Sequence, residues 1–297
     1  MSNKSSRRGV IKNLVAGSAA LGSAGMLSSF SGTQKNQPYI LKGNVNHSVC
    51  RWCYNSIPLE ELCQAAKSIG LKAIDLVGPK DWPVLQRYGL YSSMCNGAEL
   101  GIDDGWNDTK FHPELIRKYA EMIPLVAKAG YKNLICFSGA RRGKDDETGW
   151  KNCTEGLKQI MGIAEKNGVM IVMELLNSKI NHKDYQCDKT PWGVELVKRV
   201  GSKNFRLLYD IYHMQIDEGD VIRTIKDNHQ YFNHYHTGGV PGRNEIDESQ
   251  ELYYPAIIKA ILATGFTGYL AQEFIPTAKD KVGQIAALKN GVQICDV

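Results

Sequence analysis

The sequence predicts a single α/β domain, a parallel (β/α)8 barrel, on three observations. Short β-rich runs alternate with longer helical patterns from about residue 45 to the end, eight such runs can be counted, and the helical patterns repeatedly stop at glycine just before the next run. Eight units in about 265 residues is the usual size of such a barrel. An open doubly wound sheet would show a glycine-rich nucleotide turn after its first strand, and neither GxGxxG nor a Walker lysine motif occurs.

The expected strands are Val45–Cys50, Ala73–Val77, Leu90–Cys95, Asn133–Phe137, Met170–Glu174, Arg206–Asp210, Phe232–His236 and Tyr269–Glu273. Periodic apolar positions predict helices over Pro58–Ile69, Pro113–Ala129, Glu155–Lys166, Trp192–Val200, Asp220–Asp227, Tyr254–Ala263 and Lys279–Gln293. Gly70, Gly130, Gly168, Gly201 and Gly265 follow five of these, where a left-handed cap releases the chain toward the next strand. No composition shift marks a second domain. Residues 44–297 are therefore assigned to the barrel, and residues 32–43 to a connector.

Residues 1–31 differ in kind. Ser6-Arg7-Arg8-Gly9-Val10-Ile11-Lys12 precedes an uncharged stretch of small and apolar residues from Leu14 to Leu27. The pattern reads as a twin-arginine export leader and predicts a periplasmic protein. The stretch is shorter than the roughly 20 residues a bilayer span needs, so no stable membrane span is expected after processing. Lys4, Arg7, Arg8 and Lys12 account for four of the formal net charge of +5, leaving +1 for the remainder. A nearly neutral domain makes no electrostatic case for a nucleic-acid partner. The expected partner is a small-molecule substrate, and the sequence admits a homo-oligomer. Eight cysteines are dispersed through the long chain, several in apolar runs such as Leu134-Ile135-Cys136-Phe137, and read as buried free thiols. The lone Cys50-Arg51-Trp52-Cys53 pair specifies neither a zinc nor a redox site by itself.

In a barrel, chemistry gathers where strands end. Four successive runs end on polar groups: Glu174, Asp210, His236 and Glu273, with gaps of 36, 26 and 37 residues, about one β/α unit each. Period-two parity places Glu174 on the face of Met170 and Val172, the inward set. Each acid alone could instead cap a helix or pair with a loop. Three carboxylates and an imidazole converging on one rim would repel without a cation, and this donor set suits one divalent ion: Mn²⁺, Mg²⁺, Co²⁺ or Zn²⁺.

Met173-Glu174-Leu175-Leu176-Asn177-Ser178, Tyr209-Asp210-Ile211-Tyr212-His213-Met214-Gln215, Gly242-Arg243 with Glu245, and Gln272-Glu273-Phe274 resemble the hydroxypyruvate isomerase group of the xylose-isomerase-like sugar isomerase and epimerase barrels. The resemblance spans nearly the whole chain beyond the leader. It implies that Glu174 and Glu273 are the acid/base pair and touch the metal, and that Asp210 and His236 complete the coordination. It further implies isomerisation of a small hydroxy-carbonyl acid, hydroxypyruvate to tartronate semialdehyde. His236 departs from the pattern: hydroxypyruvate isomerases tend to carry glutamine there, and the related ketose epimerases histidine. Epimerisation or lysis of a sugar is thus the alternative, and the export leader points the same way.

Two further residues are expected to bind substrate. His213, three residues after Asp210, is placed to donate to a substrate oxygen that gains charge, unless loop backbone satisfies it. Arg243, in the glycine-rich loop after the seventh strand, suits a carboxylate or phosphate, unless it pairs with Glu245 or Asp247. His234 reads as a hydrogen-bonded core histidine. His47 and Glu99 are candidate pocket residues, Trp52, Trp82 and Trp106 candidate pocket walls, and 106–112 and 140–148 candidate mobile loops. A DNA-cleaving barrel would need more metal ligands and a basic face. A silent binding barrel would not need both glutamates.

Overall fold

The computed structural model describes residues 39–297, and the leader and most of the connector lie outside the described residues. Residues 40–297 form one compact unit. Its strands are β1 (Asn46–Val49), β2 (Ala73–Ile74), β3 (Tyr91–Ser92), β4 (Asn133–Cys136), β5 (Met170–Glu174), β6 (Phe205–Asp210), β7 (Phe232–Thr237) and β8 (Tyr269–Gln272). All pairings between them are parallel. Six form one sheet in the order β1-β8-β7-β6-β5-β4, and β2 pairs with β3. Single bridges Cys50↔Asp75, Val77↔Cys95 and Cys95↔Leu134 join the two sheets and close the ring. The predicted barrel is therefore present.

The helices are α1 (Leu59–Ile69), α2 (Trp82–Arg87), α3 (His112–Lys128), α4 (Asp146–Asn167), α5 (Thr190–Val200), α6 (Ile211–Asp217), α7 (Val221–Asn228), α8 (Tyr254–Ala263) and α9 (Lys281–Cys295). In α3 the buried Leu115, Tyr119, Ile123 and Val126 recur every three to four residues, the stripe that seats a helix on a barrel. Gly70 and Gly168 take the left-handed cap conformation, with φ +100° and +63°.

Two apolar layers follow from strand parity. Val172 and Leu208 point inward and meet Met94 and Ile135 in a small plug inside the barrel. Their neighbours Ile171, Met173, Leu207 and Tyr209 point outward into the larger core beneath the helices. Glu174 and Asp210 lie two residues beyond Val172 and Leu208, so parity carries both onto the plug's C-terminal side.

Several expectations need correction. The second and third strands are two residues each, and Leu76 at φ +56° interrupts the ladder just past β2. Helix α4 begins nine residues before the expected Glu155, capped by Asp145, whose side chain accepts from the Thr148 amide. Gly149 and Gly156 hid it from the sequence pattern, yet both sit where neighbouring side chains pack closely. A Cβ would fall 2.0 Å from Gln186 at the first and 2.7 Å from His112 and Trp106 at the second. The segment 106–112 is no loose loop: Trp106 is fully buried, tilted against His112 and Tyr119. Trp82 likewise packs in the core and donates to the Val77 carbonyl.

Candidate active site

Four side chains meet above the plug. Ligand-capable atoms of Glu174, Asp210, His236 and Glu273 all lie within 4.8 Å of one another, and each of the four residues is at most 4% exposed. His236, inward-facing on β7, presents Nδ1 to Glu273 Oε2 at 2.7 Å and to Glu174 Oε1 at 3.2 Å. Asp210 does two jobs. Its Oδ1 accepts from the His213 amide as the N-cap of α6, while Oδ2 turns to the cluster. The helix-cap alternative for Asp210 is thus realised together with the clustered one.

Arg243 lies against this group. Its Nη2 donates to Glu273 Oε2 at 2.6 Å and to Asp210 Oδ2 at 3.2 Å, and the guanidinium sits 5.1 Å from the Trp52 ring and 5.3 Å from that of Tyr212. The alternative pairing of Arg243 with Glu245 or Asp247 is not the one found. Glu245 instead accepts from Thr277. Trp52 Nε1 donates to the other Glu273 oxygen at 2.7 Å.

Burial and charge push the two glutamates apart. Burial raises Glu174, and the nearby Glu273 charge raises it further. Burial also opposes ionisation of Glu273, but His236 and Arg243 outweigh it and hold that carboxyl well below its usual range. A carboxyl pair split this way can carry a proton on one member and accept on the other. In Asp210 burial wins over the pull of Arg243 and the acid is raised.

His213 is fully buried behind Asp210, with Nε2 3.6 Å from Asp210 Oδ2. Its Nδ1 faces two donors, the Asn177 backbone amide at 3.2 Å and the Asn177 side-chain nitrogen at 2.6 Å. The Asn177 side-chain oxygen is occupied by the amides of Ile180 and Asn181, which fixes its orientation. The ring proton therefore belongs on Nε2, directed to the cluster, where no hydrogen bond satisfies it. Burial, then Arg243, lowers the His213 pKa well below the ordinary value and keeps the ring a neutral donor.

Above the cluster opens a cavity of ≈ 430 Å³. Glu174, Glu273 and Arg243 form its floor, Leu76, Ile102 and Phe137 belong to its largely apolar wall, and Trp52, His182 and Glu99 also line it. Of the candidate pocket residues, Glu99 and Trp52 line this cavity. His47 is not: it points away from the cavity and lies 3.7 Å from Asp296 near the C-terminus. His234 has the expected core role, with Nε2 2.7 Å from Asp75 Oδ2. Asp75, Asn177 and His182 were not anticipated. Asp75 alone left a signal, a charge within the apolar run Ala73-Ile74-Asp75-Leu76-Val77. All eight cysteines are free and seven are buried, Cys53 being half-buried, as dispersed thiols predict.

All six predicted site residues thus come together. The donor set fits a divalent ion: three carboxylates, one imidazole nitrogen, and a buried Glu174 oxygen that no hydrogen bond satisfies.

Residues 63–290 match the model of the family described as the xylose isomerase-like TIM barrel. The chain belongs to that family. Among curated family relatives, a 2-oxo-tetronate isomerase of Cupriavidus necator is 31% identical over 129 residues, 43% of this chain and 49% of its own. The chain thus spans about half the length of that relative. A putative hydroxypyruvate isomerase of Mus musculus is 23% identical over 245 residues, covering 76% of this chain and 87% of its own. A D-psicose 3-epimerase of Ruminiclostridium cellulolyticum is 29% identical over 226 residues, with coverages of 74% and 69%. Among the described residues, no helix is long and apolar enough to cross a membrane.

Proposed function

We propose that this protein is a metal-dependent isomerase that moves a proton between adjacent carbons of a small hydroxy-carbonyl acid, hydroxypyruvate or a close analogue. The convergence of Glu174, Asp210, His236 and Glu273, with Glu174 and Glu273 lining the cavity, carries this reading. Relatives named 2-oxo-tetronate isomerase and putative hydroxypyruvate isomerase support it. Glu174, Asp210, His236 and Glu273 would hold the ion, which when bound supplies Lewis acidity to stabilise negative charge on neighbouring oxygens.

The chain's own residues provide the rest. One glutamate removes the α proton and the other delivers a proton to the adjacent carbon, the substrate passing through an enediolate. Glu174 and Glu273 face each other across His236 Nδ1, so a substrate seated over the cluster has a carboxyl on each side. His213 Nε2–H is a neutral buried donor for an oxygen that becomes anionic. Arg243 offers its fork to a substrate carboxylate, and Trp52 fixes Glu273.

A second reading, epimerisation of a keto-sugar by the same two glutamates, is favoured by two observations. His236 contributes an imidazole to the donor set, and a cavity of ≈ 430 Å³ falls in the range of sites for ligands much larger than a three-carbon acid. A relative named D-psicose 3-epimerase supports it. Incubation of the purified protein with hydroxypyruvate, ketoses and 3-keto sugars in D2O, followed by proton NMR, separates the two. Deuterium at adjacent carbons with carbonyl migration identifies isomerisation, deuterium at one inverted carbon identifies epimerisation, and no incorporation into any substrate contradicts both. The Arg7-Arg8 leader supports export by the twin-arginine route to the periplasm, tested by fractionating cells that express the wild type and an Arg7→Lys, Arg8→Lys variant.

A further inference from the structure

We infer that Asp75 is a positioning residue for the metal centre, accepting a hydrogen bond from His236 Nε2–H and so holding the ring with Nδ1 turned to the cation. The inference rests on the reading of the cluster as a metal site. His236 is fully buried and its two nitrogens face different surroundings. Nδ1 faces Glu174 and Glu273. Nε2 faces Asp75 Oδ1 at 3.7 Å and Cys50 Sγ at 3.8 Å. A neutral imidazole that gives the Nδ1 lone pair to a cation carries its proton on Nε2, so the group behind Nε2 must accept it.

Asp75 is built for that task. The residue is fully buried just beyond β2, bridged to Cys50. Its Oδ2 is occupied by His234 Nε2 at 2.7 Å and by the Ser93 hydroxyl at 3.0 Å, and Ser93 is tied in turn to Ser48 at 2.6 Å. Its Oδ1 has no hydrogen bond at all. The carboxylate is thus fixed by one oxygen and has the other free for His236, a short ring displacement from hydrogen-bond length. The competing neighbour, the Cys50 thiol, is a weak acceptor by chemistry. The chain also leaves regular strand geometry here, at Leu76 with φ +56°. A carboxylate behind a metal-bound histidine fixes its tautomer and raises its basicity, and removing such a partner typically weakens metal binding about 10–100-fold.

The test is Mn²⁺ titration of the full chain, stripped of metal, by calorimetry. Wild type is expected to bind, and Asp75→Asn to bind about 10–100-fold more weakly with its metal-free melting temperature retained. Cys50→Ala should bind as wild type does. No binding by wild type would sink the metal reading itself. Binding by wild type and equal binding by Asp75→Asn would overturn the positioning role alone, as would a loss confined to Cys50→Ala. Should Asp75→Asn fail to fold, wild type labelled with ¹⁵N-histidine and loaded with diamagnetic Zn²⁺ decides: a proton on His236 Nε2 supports the role, and a proton on Nδ1 overturns it.

Discussion

Replacing Arg243 with alanine removes the one guanidinium that neutralises the cluster, while leaving the carboxylates in place. The Arg243 side chain is 12% exposed, and its partners Asp210 and Glu273 are 0% and 3% exposed as side chains. Removing one member of a buried pair leaves an uncompensated charge and costs about 3–5 kcal/mol. At about 2–4 °C per kcal/mol for a domain of this size, the metal-free variant should melt about 6–20 °C below wild type at neutral pH. Loss of Arg243 moves both carboxyls upward, Asp210 further above its ordinary range and Glu273 up from a depressed one that His236 also maintains. The penalty is then largest toward high pH, where the acids are ionised, and shrinks as pH falls and they protonate. A divalent cation should replace the lost charge, so Mn²⁺ should raise the melting temperature more in Arg243→Ala than in wild type. Thermal unfolding by circular dichroism at several pH values, with and without Mn²⁺, reads all of this. Metal-free Arg243→Ala melting together with wild type at neutral pH would refute the electrostatic account of the rim.

Other expectations follow from the same geometry. Glu174→Gln and Glu273→Gln should each slow exchange of the substrate α proton with D2O by about 10²–10⁴-fold with the fold intact, as proton NMR will show. Trp52→Phe keeps a ring beside Arg243 but removes the 2.7 Å hydrogen bond to Glu273, worth about 1.5–3 kcal/mol for a charged acceptor, and should lower kcat/KM about ten-fold or more. Burial lowers His47 to about 4 from 6.5, against the opposing pull of Asp296. The unfolded chain then takes up a proton first, so up to about 3 kcal/mol of stability, complete above pH 6.5, is lost as pH falls toward 4. Denaturant unfolding of His47→Gln should show a flatter profile across that window.

The strand ends were legible because strand parity and barrel pitch are properties of the backbone: once Val172 and Leu208 face inward, Glu174 and Asp210 must follow. The ends of β7 and β8 obey the same rule. Residues whose roles depend on tertiary neighbours were less visible. Asp75 sits within an apolar run and gains its meaning only from His234 and His236, some 160 residues later. Trp106 to His112 read as mobile because polar composition reports nothing about contact, whereas Trp106 is buried against α3 and α4. His47 read as a pocket residue from its place near a strand end, and only the structure shows Asp296 behind it. The short α2 and α6 span six and seven residues, too few to show a helical period.

The proposed divalent-metal centre of Glu174, Asp210, His236 and Glu273 stands or falls on its ion content. Elemental analysis of the purified wild type, beside a His236→Ala variant of unchanged melting temperature, tests it most directly. About one divalent ion per chain is expected in wild type, and its loss in the variant. No ion in wild type, with turnover unaffected by EDTA, would contradict it.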